Sequence, residues 1–190
     1  IMDPVFLASC SPRRGGNSDF AVSVVRGALG VPSVTYRIAE QGVRPCSSCG
    51  YCETHPGACS LDAPGDGAQK LFQALCGAPL GILVSPVYFY HLPAQAKAWI
   101  DRSQRFWACG MKPGKGRPFT AVLFGARPRG EKLFEGAERT LRCMALALGL
   151  EWLEPLRLYG LDGPSDLAAD AEASERIRAF AENLSRRAAS

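Results

Sequence analysis

Short apolar runs alternate with segments of helical period along the whole chain. The runs 4–9 (PVFLAS), 80–86 (LGILVSP) and 119–125 (FTAVLFG) are apolar at odd and even positions alike, the pattern of strands covered on both faces. Two further runs, 33–39 (SVTYRIA) and 152–160 (WLEPLRLYG), also predict strands. Pro155 interrupts the second and places it at a sheet edge, because proline has no N–H to give a neighbouring strand. Between the runs, Phe20, Val24, Val25 and Ala28 fall on one helical face, Phe134, Ala137, Leu141, Met144 and Leu148 on another, and Ile177, Phe180, Ala181 and Leu184 on a third. Pro93 suits the first turn of a helix with Ala96, Trp99 and Ile100 turned inward, and a short helix is expected over 67–75. Strands alternating with helices imply right-handed crossovers and an α/β fold, a five-stranded, doubly wound parallel sheet between helical layers. In such a sheet ligands bind beyond the carboxyl ends of the strands, where the winding reverses. The loops after the first, third and fourth strands therefore carry the functional expectation.

Composition narrows the class. With 190 residues, 47% of them hydrophobic, the chain is expected to form one domain over 1–190 around one core, with a cysteine-rich loop at 44–66. No apolar run reaches the roughly 18 residues of a membrane span, and the start IMDPVFLASC lacks the basic and apolar regions of a secretory signal, so the expectation is cytoplasmic, without membrane contact. In a reducing cytosol eight cysteines suggest metal or redox chemistry rather than a disulfide framework. The net charge is only +4, and the basic residues are scattered rather than gathered in a stripe, which argues against a nucleic-acid partner and leaves small anions in play.

The loop after the first strand reads ASCSPRRGGNSDF, residues 8–20. It runs from a strand into a helix, so its amides and the helix N-terminus favour an anion, and Gly15 and Gly16 let the backbone approach closely. Ser11, Asn17 and Ser18 can donate hydrogen bonds, and Arg13 brings charge to a phosphate. Asn17 or Ser18 could instead serve only as a helix N-cap. The loop has no GxxxxGK pattern, and the position six after Cys10 is Gly16 rather than arginine, so it is neither a Walker loop nor a phosphatase nucleophile loop. It is read as binding a phosphate without attacking it.

At these residues the chain resembles a known family. SPRRGGNS is similar to the phosphate loop of the NADPH-dependent FMN reductases and iron-sulfur flavoproteins, which typically read Gly-Ser-Pro-Arg-x-x-Gly-Asn-Thr/Ser. The match falls on Ser11, Pro12, Arg13, Gly16, Asn17 and Ser18, with Cys10 in place of the glycine. The stretch SPVYFYHLPAQAKAWIDR, 85–102, resembles that family's segment after the third strand, where a proline, an apolar residue and aromatics run beside the flavin. Lys97, Asp101 and Arg102 match the helix that follows. The resemblance implies a flavodoxin-like three-layer αβα sandwich with strand order 2-1-3-4-5. It also implies FMN as cofactor, held by Ser11, Arg13, Gly16, Asn17 and Ser18 and by Pro86, Val87, Tyr88 and Phe89. Read from the residues alone, Tyr88 and Phe89 offer flat apolar surfaces to a ring, although such a run can also be core or subunit contact.

The stretch CSSCGYCETHPGAC, 46–59, sets four cysteines as CxxCxxC and a fourth after six residues. Three thiols within seven residues suit an iron-sulfur cluster better than zinc, whose paired ligands are usually more widely separated. The resemblance agrees: Cys46, Cys49, Cys52 and Cys59 match the four cluster positions of the iron-sulfur flavoproteins, which implies a 4Fe-4S cluster. Related reductases keep a similar loop without a cluster, the thiols then serving in packing. His55 reads as a solvated loop residue, and Cys76, Cys109 and Cys143 as buried small residues or surface thiols.

Together these readings point to an FMN-dependent oxidoreductase that couples a two-electron carrier to a one-electron cluster. Its donor would be NAD(P)H or a ferredoxin-like protein, and its acceptor a small molecule or a protein. The alternatives are a cluster-free NAD(P)H-dependent FMN or quinone reductase, a non-enzymatic flavodoxin-like electron carrier, and a zinc-stabilised binding module. No catalytic acid, base or nucleophile is assigned. A homodimer or dimer of dimers is expected, with 89–99 as the contact segment.

Overall fold

A computed structural model describes residues 3–188 of the chain. From the N-terminus, β1 (Val5–Ser9) leads into α1 (Asn17–Leu29), β2 (Ser33–Arg37) and a single 3-10 turn (Ile38–Glu40). The cysteine stretch follows with the four-residue α2 (Tyr51–Thr54), then α3 (Ala68–Gly77), β3 (Gly81–Pro86), α4 (Ala94–Asp101) and α5 (Gln104–Trp107). The last third holds β4 (Pro118–Phe124), α6 (Glu135–Leu148), β5 (Glu151–Trp152), β6 (Leu156–Leu158), α7 (Asp166–Ala169) and α8 (Ala171–Ala188).

All strand pairs are parallel, and the sheet runs β2-β1-β3-β4-β5 with β6 also on β4, which is the expected 2-1-3-4-5 order. The period-2 alternation explains the layers. Val5, Leu7, Ile82, Val84, Val122 and Phe124 pack toward α1 and α8, while Phe6, Ala8, Leu83, Ala121 and Leu123 pack toward α3, α4 and α6. β1 and β3 are buried throughout, whereas the edge strand β2 is half exposed.

Two details differ from the sequence expectation. The fifth strand is broken in two: Phe119 pairs with Trp152 but Val122 with Leu156, so one extra residue is accommodated in between. Pro155 lies in that break, and Thr120 Oγ1 donates to the Leu153 and Glu154 carbonyls at 3.4 and 3.2 Å, satisfying backbone that the ladder leaves free. On α1 the buried stripe is Ala21, Val22, Val25 and Leu29, with Phe20, Val24 and Ala28 flanking it at half-buried positions. The expected inward residues Ala96, Trp99 and Ile100 of α4 and Ile177, Ala181 and Leu184 of α8 are buried. Among the described residues no helix is long and apolar enough to cross a membrane.

Candidate functional site

The carboxyl ends of β1, β3 and β4 open onto a cleft of about 160 Å³. Its wall unites Ser11, Arg13, Gly16, Asn17 and Ser18 from the first loop with Pro86, Val87 and Tyr88 from the third. Two segments that look unrelated in sequence thus meet because β1 and β3 are adjacent in the sheet. Phe89 does not join this wall; it stands fully exposed.

In the first loop Ser11 Oγ accepts from the Arg13 amide at 3.2 Å, fixing a tight turn. Gly15 has φ +67, a conformation that side chains resist, and its amide donates to Asp19 Oδ2 at 2.7 Å. The N-cap of α1 is Gly16, so neither Asn17 nor Ser18 caps the helix. Asn17 instead ties the loop to the C-terminal segment: its Nδ2 donates to the Gly163 carbonyl at 2.9 Å and its Oδ1 accepts from the Leu167 amide at 3.1 Å. Its side chain is thus a brace, and what the helix start offers an anion is the backbone amides of Asn17 and Ser18, since that of Asp19 already donates to the Gly16 carbonyl at 3.0 Å.

Two contributors, Arg37 and the 161–164 loop, were missed by sequence reasoning, and the loop after β4 was expected without named residues. Arg37, at the end of β2, ion-pairs with Asp19, meets Glu40 at 2.8 Å and donates to the Arg13 carbonyl at 3.0 Å, bracing the loop from outside. Gly125 and Ala126 follow β4 into the cleft, and Leu161, Asp162 and Pro164 close it after β6. The turn cluster LDGPSD was the available signal for this last loop; its Asp166 accepts from the amides of Asp162 and Gly163 at 2.9 and 2.7 Å.

The third loop is a two-residue hairpin turn. Tyr88 and His91 exchange both backbone hydrogen bonds, at 2.8 and 2.9 Å, across Phe89 (φ 48) and Tyr90 (φ 62). Helix α6 presses against it: a Cβ on Gly136 would lie 2.6 Å from the Tyr90 carbonyl, and Thr140 Oγ1 meets His91 Nε2 at 3.0 Å. Val87, just before the turn, donates to the Phe124 carbonyl at 2.8 Å, keeping the turn in the sheet's register.

Cys46, Cys49, Cys52 and Cys59 line a second, smaller cavity together with Arg102 and Arg105. Gly50 and Gly57 both have φ +74 and allow the chain to wrap around it. Cys49 Sγ lies 3.1 Å from Ser60 Oγ, and the Ser48 amide donates to Cys46 Sγ at 3.5 Å. Among the described residues no three His, Cys, Asp or Glu side chains converge tightly enough to hold a single metal ion. His55 stacks on Tyr51, with centroids 3.9 Å apart, outside this thiol set. Burial disfavours a charged Arg102, but its hydrogen bond to Asp66 and the negative field of Cys59, Asp66 and Asp62 outweigh this and raise its pKa further. The remaining cysteines divide as expected: Cys76 is buried, Cys109 partly buried and Cys143 exposed.

The family model of the NADPH-dependent FMN reductases matches residues 4–144. An iron-sulfur flavoprotein of Methanosarcina thermophila is 33% identical over 98 residues, 50% of this chain and 49% of that protein. The chain spans about half the length of the curated relatives it matches. Among solved structures, a flavone reductase superposes with a TM-score of 0.73 over 98% of this chain and 63% of its own, at 12% identity. An NAD(P)H:quinone oxidoreductase from Methanothermobacter marburgensis gives 0.69 over 97% and 98%, at 17% identity. At such identities the structural likeness speaks for the fold. The family match is the stronger finding, because 4–144 contains the phosphate-loop sequence, the cysteine stretch and the aromatic turn, and with it the chain belongs to the NADPH-dependent FMN reductase family.

Proposed function

We propose that the chain is an FMN-dependent oxidoreductase carrying a 4Fe-4S cluster on its cysteine loop, with NAD(P)H or a ferredoxin-like protein as donor. The observation that carries the FMN reading is the cleft in which the donor-rich loop of Ser11 to Ser18 faces Pro86, Val87 and Tyr88. Arg13 and the amides at the start of α1 hold the phosphate, and the backbone and ring of 86–88 wall the isoalloxazine. Bound FMN supplies hydride and one-electron chemistry; the chain supplies binding, orientation and a surrounding field. No side chain is assigned as general acid or base.

The cluster reading rests on four thiols around one cavity, since a four-iron cluster gives each iron its own thiolate, and on buried cationic groups behind them, which suit an anionic assembly. An iron-sulfur flavoprotein among its relatives points the same way. A second reading, a cluster-free NAD(P)H-dependent FMN or quinone reductase, is favoured by the absence of a convergent metal-ligand set among the described residues. Anaerobic reconstitution separates the two: about four iron and four sulfide per chain is the expected result for ligation by all four loop cysteines.

Fluorescence titration tests the flavin site. Arg13→Ala should weaken FMN roughly tenfold to a hundredfold, the loss of a charge-assisted hydrogen bond, and riboflavin far less. Tyr88→Ala should weaken both flavins alike. Unchanged FMN affinity in the Arg13 variant would overturn the phosphate assignment.

A further inference from the structure

The thiol-lined cavity is bounded by two guanidinium groups that the cysteine stretch does not itself supply. Arg102, just after α4, and Arg105, in α5, have side chains 0% and 1% exposed and line the same cavity as Cys46, Cys49, Cys52 and Cys59. Each of their terminal nitrogens makes at least one hydrogen bond. Arg102 donates to the Arg44 carbonyl at 3.0 Å, to Asp66 at 2.9 Å and to Asp62 at 2.8 Å. Arg105 donates twice to Asp62 at 2.7 Å and to Gln69 at 2.7 Å. These bonds grip the cysteine stretch on both sides, at Arg44 before Cys46 and at Asp62 and Asp66 after Cys59.

What the network leaves without any partner on each arginine is the Nε atom. The Nε atoms of Arg102 and Arg105 are buried and meet no acceptor among the described residues. A buried donor without a partner is costly, and two of them on arginines that bound one cavity call for an acceptor that arrives with a ligand. The acceptors suited to this place are the sulfurs of an anionic thiolate assembly, because a guanidinium is weakly hydrated, planar and permanently charged.

We propose that Arg102 and Arg105 are positioning residues for the cluster site, their Nε–H groups donating hydrogen bonds to sulfur and raising the reduction potential of the group held there. This deepens, and rests on, the cluster reading above. A hydrogen bond to a ligating or bridging sulfur withdraws electron density and stabilises the reduced, more negative state, so its removal lowers the potential.

The test uses Arg102→Lys and Arg105→Lys, which keep the charge and remove the Nε–H. In anaerobically reconstituted protein the wild-type chain and both variants should bind iron and sulfide. Each variant should show its reduced-to-oxidised ratio at fixed ambient potential fall about tenfold, equivalent to about 59 mV for a one-electron couple. Iron-loaded variants with wild-type potential would overturn the proposal. If the variants fail to fold, the wild-type protein decides: the 15N-labelled Nε–H resonances of the two buried arginines should shift or broaden when the cluster is built, and resonances unmoved by loading would overturn it. A wild-type chain that takes up no iron defeats the cluster reading itself. That outcome takes the arginine proposal with it, whereas iron-loaded variants of unchanged potential overturn the arginine proposal alone.

Discussion

At the scale of single residues, Cys10 shows how a family position can change character. It stands where the related phosphate loops have glycine, its amide donates to the Val84 carbonyl at 2.9 Å, and its side chain is wholly buried in the layer of Phe6 and Trp99. Burial pushes its thiol up to about 12, against a smaller downward pull from a hydrogen bond with Ser85. The native thiol therefore keeps its proton where the unfolded one, titrating near 9, has lost it. With fewer protons bound in the unfolded state, stability falls as pH rises through the window from about 9 to about 12. Cys76, raised to about 11 chiefly by burial, acts in the same direction. Urea unfolding at pH 8 and 10.5 should show a drop in stability that is about 2 kcal/mol smaller in Cys10→Ala than in the wild type. Equal drops in the two proteins would show that Cys10 does not carry this dependence. The same burial removes Cys10 from thiol chemistry at neutral pH.

At the scale of elements, the aromatic turn after β3 combines strain with exposure. A two-residue turn with positive φ at both central positions ordinarily takes Asn-Gly, yet here it holds Phe89 and Tyr90. Left-handed backbone costs such residues about 1–2 kcal/mol each. Replacing Phe89 with Asn and Tyr90 with Gly should raise the stability of the apo protein by about 1–2 kcal/mol, or about 2–8 °C in Tm for a chain of this size. A melting temperature that stays level or falls would refute the strain. The hydrophobic pattern made the strands and the inward residues of α4 and α8 legible, because periods of 2 and 3.6 record burial directly. The broken fifth strand was not, since Pro155 announces an edge but not the extra residue that Thr120 accommodates. In the cleft at the strand ends, motif spacing singled out Ser11 to Ser18 and Pro86 to Tyr88, but Arg37 and the 161–164 loop enter through contacts made only in the folded sheet. The Arg102 and Arg105 network was illegible for the same reason: its ion pairs join residues 36 to 43 positions apart. Helix α4 then relates the two sites, since it follows the aromatic turn and ends beside Arg102, a span of about 12 Å for its eight residues.

At the scale of the whole molecule, the question is what covers the apolar surface that folding leaves outside. Trp99 cannot serve, because the 89–99 segment expected to form a contact turns Leu92, Ala96 and Trp99 into the core and leaves Phe89 and Tyr90 as its large exposed apolar side chains. A second apolar exposure lies next to it, in a groove between α4, α5 and α6 where Trp107 and Leu146 are 57% and 61% exposed and Ile100, Met144 and Ala147 form the floor. Its rim carries Lys97 paired with Asp101 and Arg139 paired with Glu135, so a second copy placed by a two-fold axis can set either sign against its opposite. Exposed apolar surface of this kind, rimmed by charge, is the mark of an association face. Light scattering of the FMN-loaded protein should therefore give at least twice the mass of the chain. Leu146→Arg, which leaves the buried face of α6 intact, should shift it toward the monomer with unchanged far-UV circular dichroism. A wild-type protein that is monomeric with FMN bound would reject association. A Leu146→Arg protein that remains fully dimeric would move the interface away from this groove, leaving the exposed Phe89 and Tyr90 turn as the surface to test next.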